Sequence, residues 1–106
     1  MTVYVDDVRH RFGRMVMCHM WADSHDELLA MAAAIGVDRK WLQEPPKASW
    51  VHFDISLDKK RLALKRGAVL TDKYGPLEFV ARLKGDKPKL EQIQRCRALS
   101  LGRDIA

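Results

Sequence analysis

No run of apolar residues in this chain approaches the ~20 needed to cross a bilayer. The opening, MTVYVDDVRH, has acids where a secretory signal would carry its apolar stretch. These two absences predict a cytoplasmic protein. Cysteine is scarce: Cys18 and Cys96 are the only two, with no CxxC spacing to suggest a zinc ribbon or a redox motif. A disulfide between them requires Cα atoms within about 7 Å, and two reduced, mostly buried thiols are the expectation. There is no GxSxG, no glycine-rich phosphate loop and no dinucleotide fingerprint, which leaves ordinary nucleotide-fold enzymology unsupported. Cys18 adjoins His19, but neighbours on a strand point to opposite faces, so the two cannot form a nucleophilic dyad directly.

What is present suits a globular protein. The chain has 106 residues, 47% of them hydrophobic and 31% charged, enough to bury a core without disulfides or a structural metal. The net charge of +5 is unevenly placed. Residues 1–55 carry six Lys/Arg against eight Asp/Glu, and residues 56–106 carry thirteen against six, so a half of net −2 precedes a half of net +7. The acidic and histidine-bearing chemistry lies first; the surface that would attract a polyanion lies second.

Alternation and capping signals place the elements. TVYVDD reads as a short strand with Tyr4 and Asp6 on one face and Val3 and Val5 on the other. VRHRFGR is a loop or the turn of a hairpin, and MVMCHMWA is a second strand, with Val16, Cys18 and Met20 opposite Met17, His19 and Trp21. Ser24 followed by Glu27 forms a capping box for a helix whose Leu28, Met31, Ala32 and Ile35 make one apolar stripe, closed by Gly36. VDRKWLQEPPKAS is a connection with a brief strand at Trp41–Leu42. In WVHFDIS, Val51, Phe53 and Ile55 face the core, and His52 and Asp54 the opposite side. Ser56 or Asp58 caps a basic helix, LDKKRLALKR, ended by Gly67; AVLTD is a further strand. GPLEFVARLKG is a helix with Pro76 at its start and Leu77, Val80 and Ala81 inward. A Pro–Gly linker and an amphipathic segment with Leu90 and Ile93 inward follow.

These elements predict an α/β or α+β domain, with a small mixed sheet of three to five strands and two to four helices. Residues 1–84 form the domain and 85–106 a basic helical segment or tail. That segment either docks on the domain, stays loose, or makes a homo-oligomer through residues 86–106.

Three groups of residues carry candidate chemistry. His19, Trp21 and Asp23 could line a site, although an aspartate before a helix and a histidine beside a tryptophan also have plain structural uses. His52 and Asp54 could act as a proton-transfer pair, or simply occupy a wet strand face. If the strands bearing Asp6, His19 and His52 are neighbours, their polar faces align, and His19, His52 and Asp54 make a two-histidine, one-carboxylate set for a divalent metal. In the basic helix Lys59, Lys60, Arg61, Lys65 and Arg66 offer phosphate contacts, with Trp41 or Trp50 available to stack on a base.

The ordered strings VYVDD, CHMWADSHDELLAMAAAIGV, WLQ, HFDIS and KRGA resemble a small bacterial and phage family known as domain of unknown function 4031. The resemblance covers residues 2 to about 72. It singles out Asp6, His19, Trp21, Asp23, His52, Asp54 and Gly67–Ala68, and implies no activity. The leading expectation is a domain that binds a nucleotide or nucleic acid through the His/Asp pocket and the basic helix. In this reading His19, His52 and Asp54 are the working residues, and Asp6, Trp21, Asp23, Lys59, Lys60, Arg61 and Arg66 contact the ligand. Two alternatives stand beside it: a metal-dependent phosphodiester hydrolase using the same pocket, with Asp6, Asp54 and the histidines holding the ion, and a non-catalytic interaction module.

Overall fold

Strand β3, Met15–Ala22, organises the sheet. It is hydrogen-bonded antiparallel to β1 (Val3–Val5) over its second half and to β2 (His10–Phe12) over its first. Strand β4 (Phe53–Ser56) pairs with it antiparallel from Met17 to Met20. Because β4 overlaps both other registers and a strand has two edges, β1 and β2 run in line along the edge that β4 leaves free. Strand β5 (Val69–Leu70) adds to β1 in parallel, making a mixed sheet of five strands. The computed structural model describes the backbone of residues 2–105 and the side chains of residues 2–100. With four α-helices among the described residues, the chain is an α+β fold.

The register shifts between β1 and β2. Val5 faces Met20 and His10 faces Met17, so five steps on one strand are matched by three on the other. The two surplus residues form a bulge over 6–9. An even shift preserves side-chain alternation, so Asp6 and His10 stay on the same face as Met17, His19 and Trp21. At the far end Gly13, φ 61°, opens the two-residue turn between Phe12 and Met15, where glycine is favoured. From the sequence alone the whole of VRHRFGR reads as a loop or the turn of a hairpin. Only its tip is one, because ladder bonds to β3 make His10–Phe12 a strand.

The opposite face of the sheet is apolar. Val5, Cys18, Met20, Phe53 and Ile55 are fully buried there beneath α1 (His25–Ala34) and α2 (Leu57–Lys65), which contribute Leu28, Ala32, Ile35 and Ala63. Truncating a residue such as Phe53 to alanine costs about 3–5 kcal/mol. Both helices start as the sequence predicts. Ser24 Oγ accepts from Glu27 N at 3.2 Å, and Ser56, rather than Asp58, caps α2 by accepting from Lys59 N. Helix α1 ends at Gly36, φ 78°, where the Lys59 ammonium donates to the carbonyl of Ile35 at 2.8 Å.

Three local expectations change. Trp41–Leu42 is not a strand: Asp38 accepts from Lys40 N and winds Arg39–Trp41 into a 3₁₀ turn. The ladder contact falls one residue later, between Gln43 and His52. The proline after Gly85 does not mark a linker, since Pro88 lies in the first turn of α4 (Lys87–Ile105), where a missing N–H costs nothing. Asp86 accepts from Lys89 N there. Leu77 of α3 (Gly75–Lys84) is half exposed rather than inward, while Ala81 is buried.

The chain divides after Lys73 into two compact units, the second comprising α3 and α4. Within that unit Arg97 pairs with Glu78 at 2.8 Å, and the Tyr74 hydroxyl meets Ser100 Oγ at 3.1 Å. No helix among the described residues is long and apolar enough to cross a membrane.

Candidate metal centre

Strand alternation brings Asp6, His10, His19 and Asp54 onto the sheet face opposite α1 and α2. His19 lies directly across from Asp54. His52 follows two residues before Asp54, with its backbone paired in both directions to Gln43 at 2.9 Å. The three side chains converge: His19 Nε2 is 3.7 Å and His52 Nε2 3.6 Å from Asp54 Oδ1. One ligand atom from each lies within 4.8 Å of the others. Ligands about 2.0–2.1 Å from a tetrahedral ion stand roughly 3.3 Å apart, so the carboxylate–imidazole spacings need to close by only a few tenths of an ångström.

Each of the three is held from behind. Asp6, fully buried in the bulge, accepts from His19 Nδ1 at 2.6 Å and from the His19 backbone N–H at 3.0 Å. In a regular ladder that N–H would bond the Asp6 carbonyl; here the Asp6 side chain replaces it, while Asp6 N still donates to the carbonyl of His19. The Nδ1 of His52 lies 3.0 Å from the carbonyl oxygen of Trp50. A carboxylate and a carbonyl can only accept, so both imidazoles carry their proton on Nδ1, and in the neutral ring Nε2 is left as a lone pair facing Asp54. Gln43 Nε2 donates to Asp54 Oδ2, which turns Oδ1 toward the histidines. Histidine ligands are ordinarily oriented in this way by a carboxylate or carbonyl behind them.

The pair of histidines is electrostatically unequal. The hydrogen bond to Asp6 raises the pKa of His19 above its ordinary value, outweighing partial burial, while burial lowers that of His52. His52 is almost enclosed, whereas His19 and Asp54 keep 24% and 29% of their side-chain surface. Solvent reaches the centre from their side. His10 stands there too, its Nε2 4.0 Å from Asp54 Oδ1 and its ring 5.1 Å from that of His19. Trp50 covers the other side, stacked on His52 at 4.3 Å and edge-on to Trp21 at 5.6 Å.

Of the residues singled out in the sequence, His19, His52 and Asp54 come together as a set. Asp6 belongs to that set as the group that orients His19, not as a fourth ligand. Trp21 is buried between Tyr4 and Trp50. Asp23 stands apart, its carboxylate accepting from the Tyr4 hydroxyl and from Thr2 N, both at 3.0 Å. The basic helix is on the other side of the sheet. There Lys59 is committed to the Ile35 carbonyl, Lys60 to Asp7 at 3.3 Å and Arg61 to Asp58, while Arg66 is exposed at the helix end. Cys18 faces the core, where burial pushes its thiol up to about 12, so it is no nucleophile at neutral pH. His10 and Gln43 went unread in the sequence. Reading residues 8–12 as a strand would have put His10 in phase with Asp6, but Gln43 gave no signal.

A small α+β domain with a histidine–carboxylate cluster on the sheet face opposite α1 and α2 is the class defined by these features. The model of the family described as protein of unknown function (DUF4031) matches residues 3–84, and the chain belongs to that family. The match runs through α3, beyond the motifs quoted above. No curated protein and no solved structure matches the chain.

Proposed function

We propose that this domain holds one divalent transition-metal ion on His19 Nε2, His52 Nε2 and Asp54 Oδ1 and uses it on a phosphate-bearing substrate, as a metal-dependent phosphodiester hydrolase. One observation carries the reading: all three ligand groups converge while a separate partner fixes each from behind, Asp6, the Trp50 carbonyl and Gln43. Two histidines and a carboxylate leave coordination positions for substrate and water. An ion held there supplies Lewis-acid polarisation of a phosphoryl oxygen and activation of water near neutral pH. Around it Asp6 keeps the His19 lone pair aimed, and Trp50 shields one side from bulk water. The α2 cations lie across the sheet from the cluster, so an ion held there would supply positive charge for a phosphate on this face. The unpaired Cys18 and Cys96 suit the reducing cytoplasm expected from the sequence.

The test is native mass spectrometry with elemental analysis on untagged protein prepared without chelator. One retained equivalent, lost in His52→Ala and in Asp54→Ala while circular dichroism is unchanged, is the expected result. Wild-type hydrolysis of bis(p-nitrophenyl) phosphate should then vanish on chelation. A clean apo mass that stays apo on titration with Zn²⁺, Mn²⁺ and Fe²⁺ would remove the reading.

A further inference from the structure

Of the cations expected to offer phosphate contacts on α2, Lys59, Lys60 and Arg61 are engaged within the protein. The β2–β3 hairpin presents the opposite case. Its segment VRHRFGRM carries Arg9, Arg11 and Arg14 and no acid. All three are exposed, and none has a hydrogen bond or ion pair among the described residues. Phe12 at the tip is 74% exposed and its cross-strand partner Met15 is 49% exposed. The hairpin thus presents a large aromatic and three guanidinium groups to solvent at one place.

Register connects this hairpin to the metal centre. Phe12 faces Met15 and His10 faces Met17, and Met17 shares its face with His19. The row Phe12, His10, His19, Asp54 therefore runs along one sheet face, from the hairpin tip to the cluster. Strand β4 stops opposite Met17, so the tip projects past it as a two-stranded ribbon, with the start of α2 beside Met15 and Val16 on one side. Arg11 lies on the reverse of the ribbon, opposite Val16, and Arg14 at its turn.

We propose that the β2–β3 hairpin binds single-stranded nucleic acid, with a base stacked on Phe12 and successive phosphates held by Arg9, Arg11 and Arg14, so that the strand is led toward the His19–His52–Asp54 centre. Cations set beside exposed aromatics are the combination that binds single strands without sequence preference. A duplex offers no free base face to Phe12, which is why a single strand is the substrate class. The proposal rests on the metal reading for what happens to the strand, whereas binding itself needs no ion.

Fluorescence anisotropy with labelled dT15 and rU15 on the full chain tests it, at 50 and 200 mM NaCl. Three phosphate contacts on a single strand give a log–log salt slope of about −2, or roughly 20-fold weaker binding across that range. The combined variant R9A/R11A/R14A should lose most of that slope and bind about 10–20-fold more weakly at 50 mM salt. Phe12→Ala should weaken binding about tenfold and leave the slope unchanged. The α2 variant K65A/R66A should bind like wild type. A preference between the two probes would identify the sugar. Absence of wild-type binding at 50 mM salt, or an equal loss in K65A/R66A, overturns the proposal. Metal analysis of the same samples separates the two readings: strand binding without metal removes the hydrolase and keeps the hairpin, and metal without strand binding does the reverse.

Discussion

Replacing Asp6 with asparagine changes one atom and should invert the protonation of the nearest histidine. The carboxylate accepts from His19 Nδ1 at 2.6 Å and from the His19 backbone N–H at 3.0 Å. Asparagine can keep the backbone bond through its carbonyl oxygen, but it then presents an NH₂ group to Nδ1. His19 must answer with a lone pair on Nδ1, which moves the proton to Nε2, between the imidazole and Asp54. A protonated Nε2 cannot ligate a metal, so affinity should fall by at least about 10–100-fold, the usual cost of a lost partner behind a histidine ligand. Stability should fall much less, by about 1 kcal/mol, since a charge-assisted bond is exchanged for a neutral one. Asp6→Ala provides the contrast. It leaves a buried backbone N–H and a ring N–H unsatisfied, at about 1–3 kcal/mol each. The affinity is read by competition with a chromophoric chelator, the tautomer by ¹⁵N NMR of the imidazole, and the stability by thermal melts. An Asp6→Asn variant that binds metal like wild type with the proton still on Nδ1 would refute the orienting role of Asp6.

In chelator-treated protein, NMR should find His19 titrating above 6.5 and His52 below it, and Asp6→Asn should bring His19 down because the Asp6 bond is the main cause of its rise. Folding stability follows with opposite signs: the His19 contribution is present at pH values below 6.5 and lost as pH rises through its folded pKa, whereas that of His52 is present above 6.5 and lost as pH falls through its own. Trp50→Ala, which removes the stack on His52 and the edge contact with Trp21, should cost about 2 kcal/mol in chemical denaturation. Ser24→Ala should lower stability by about 1 kcal/mol through loss of the α1 cap, without affecting metal content. Cys18 should resist a thiol-specific reagent in the native state and react only on unfolding, as a fully buried thiol raised to about 12 requires.

Local rules were readable wherever the determinant and its effect lie within one turn or one pleat. Ser24 with Glu27, Gly36, and the alternation of Cys18, Met20, Phe53 and Ile55 were all of that kind. The meeting of His19, His52 and Asp54 was legible only as a condition on which strands are neighbours, and their pairing supplies it. Trp21 illustrates the limit of alternation. It lies on the non-core face yet is buried, with Tyr4 and Trp50 packed against it from distant points in the chain. The basic helix misled for a similar reason. Charge counting cannot see that Lys59 closes α1 or that Lys60 reaches Asp7, nor that the arginines of the hairpin find no partner among the described residues.

The two-residue surplus between Val5 and His10 makes the centre a matter of segment length. A chain two residues shorter there could run one uninterrupted ladder from Val3 to Phe12 and would form a more regular hairpin. It would also return the His19 N–H to a main-chain acceptor, leaving no gap in the sheet for a carboxylate. Homologues with substitutions at positions 7–9 can therefore retain the arrangement, while those with a two-residue deletion at the same place should fold well and have lost it. Within this family, an alignment gap at that point would separate chains that carry the centre from chains that carry only the scaffold.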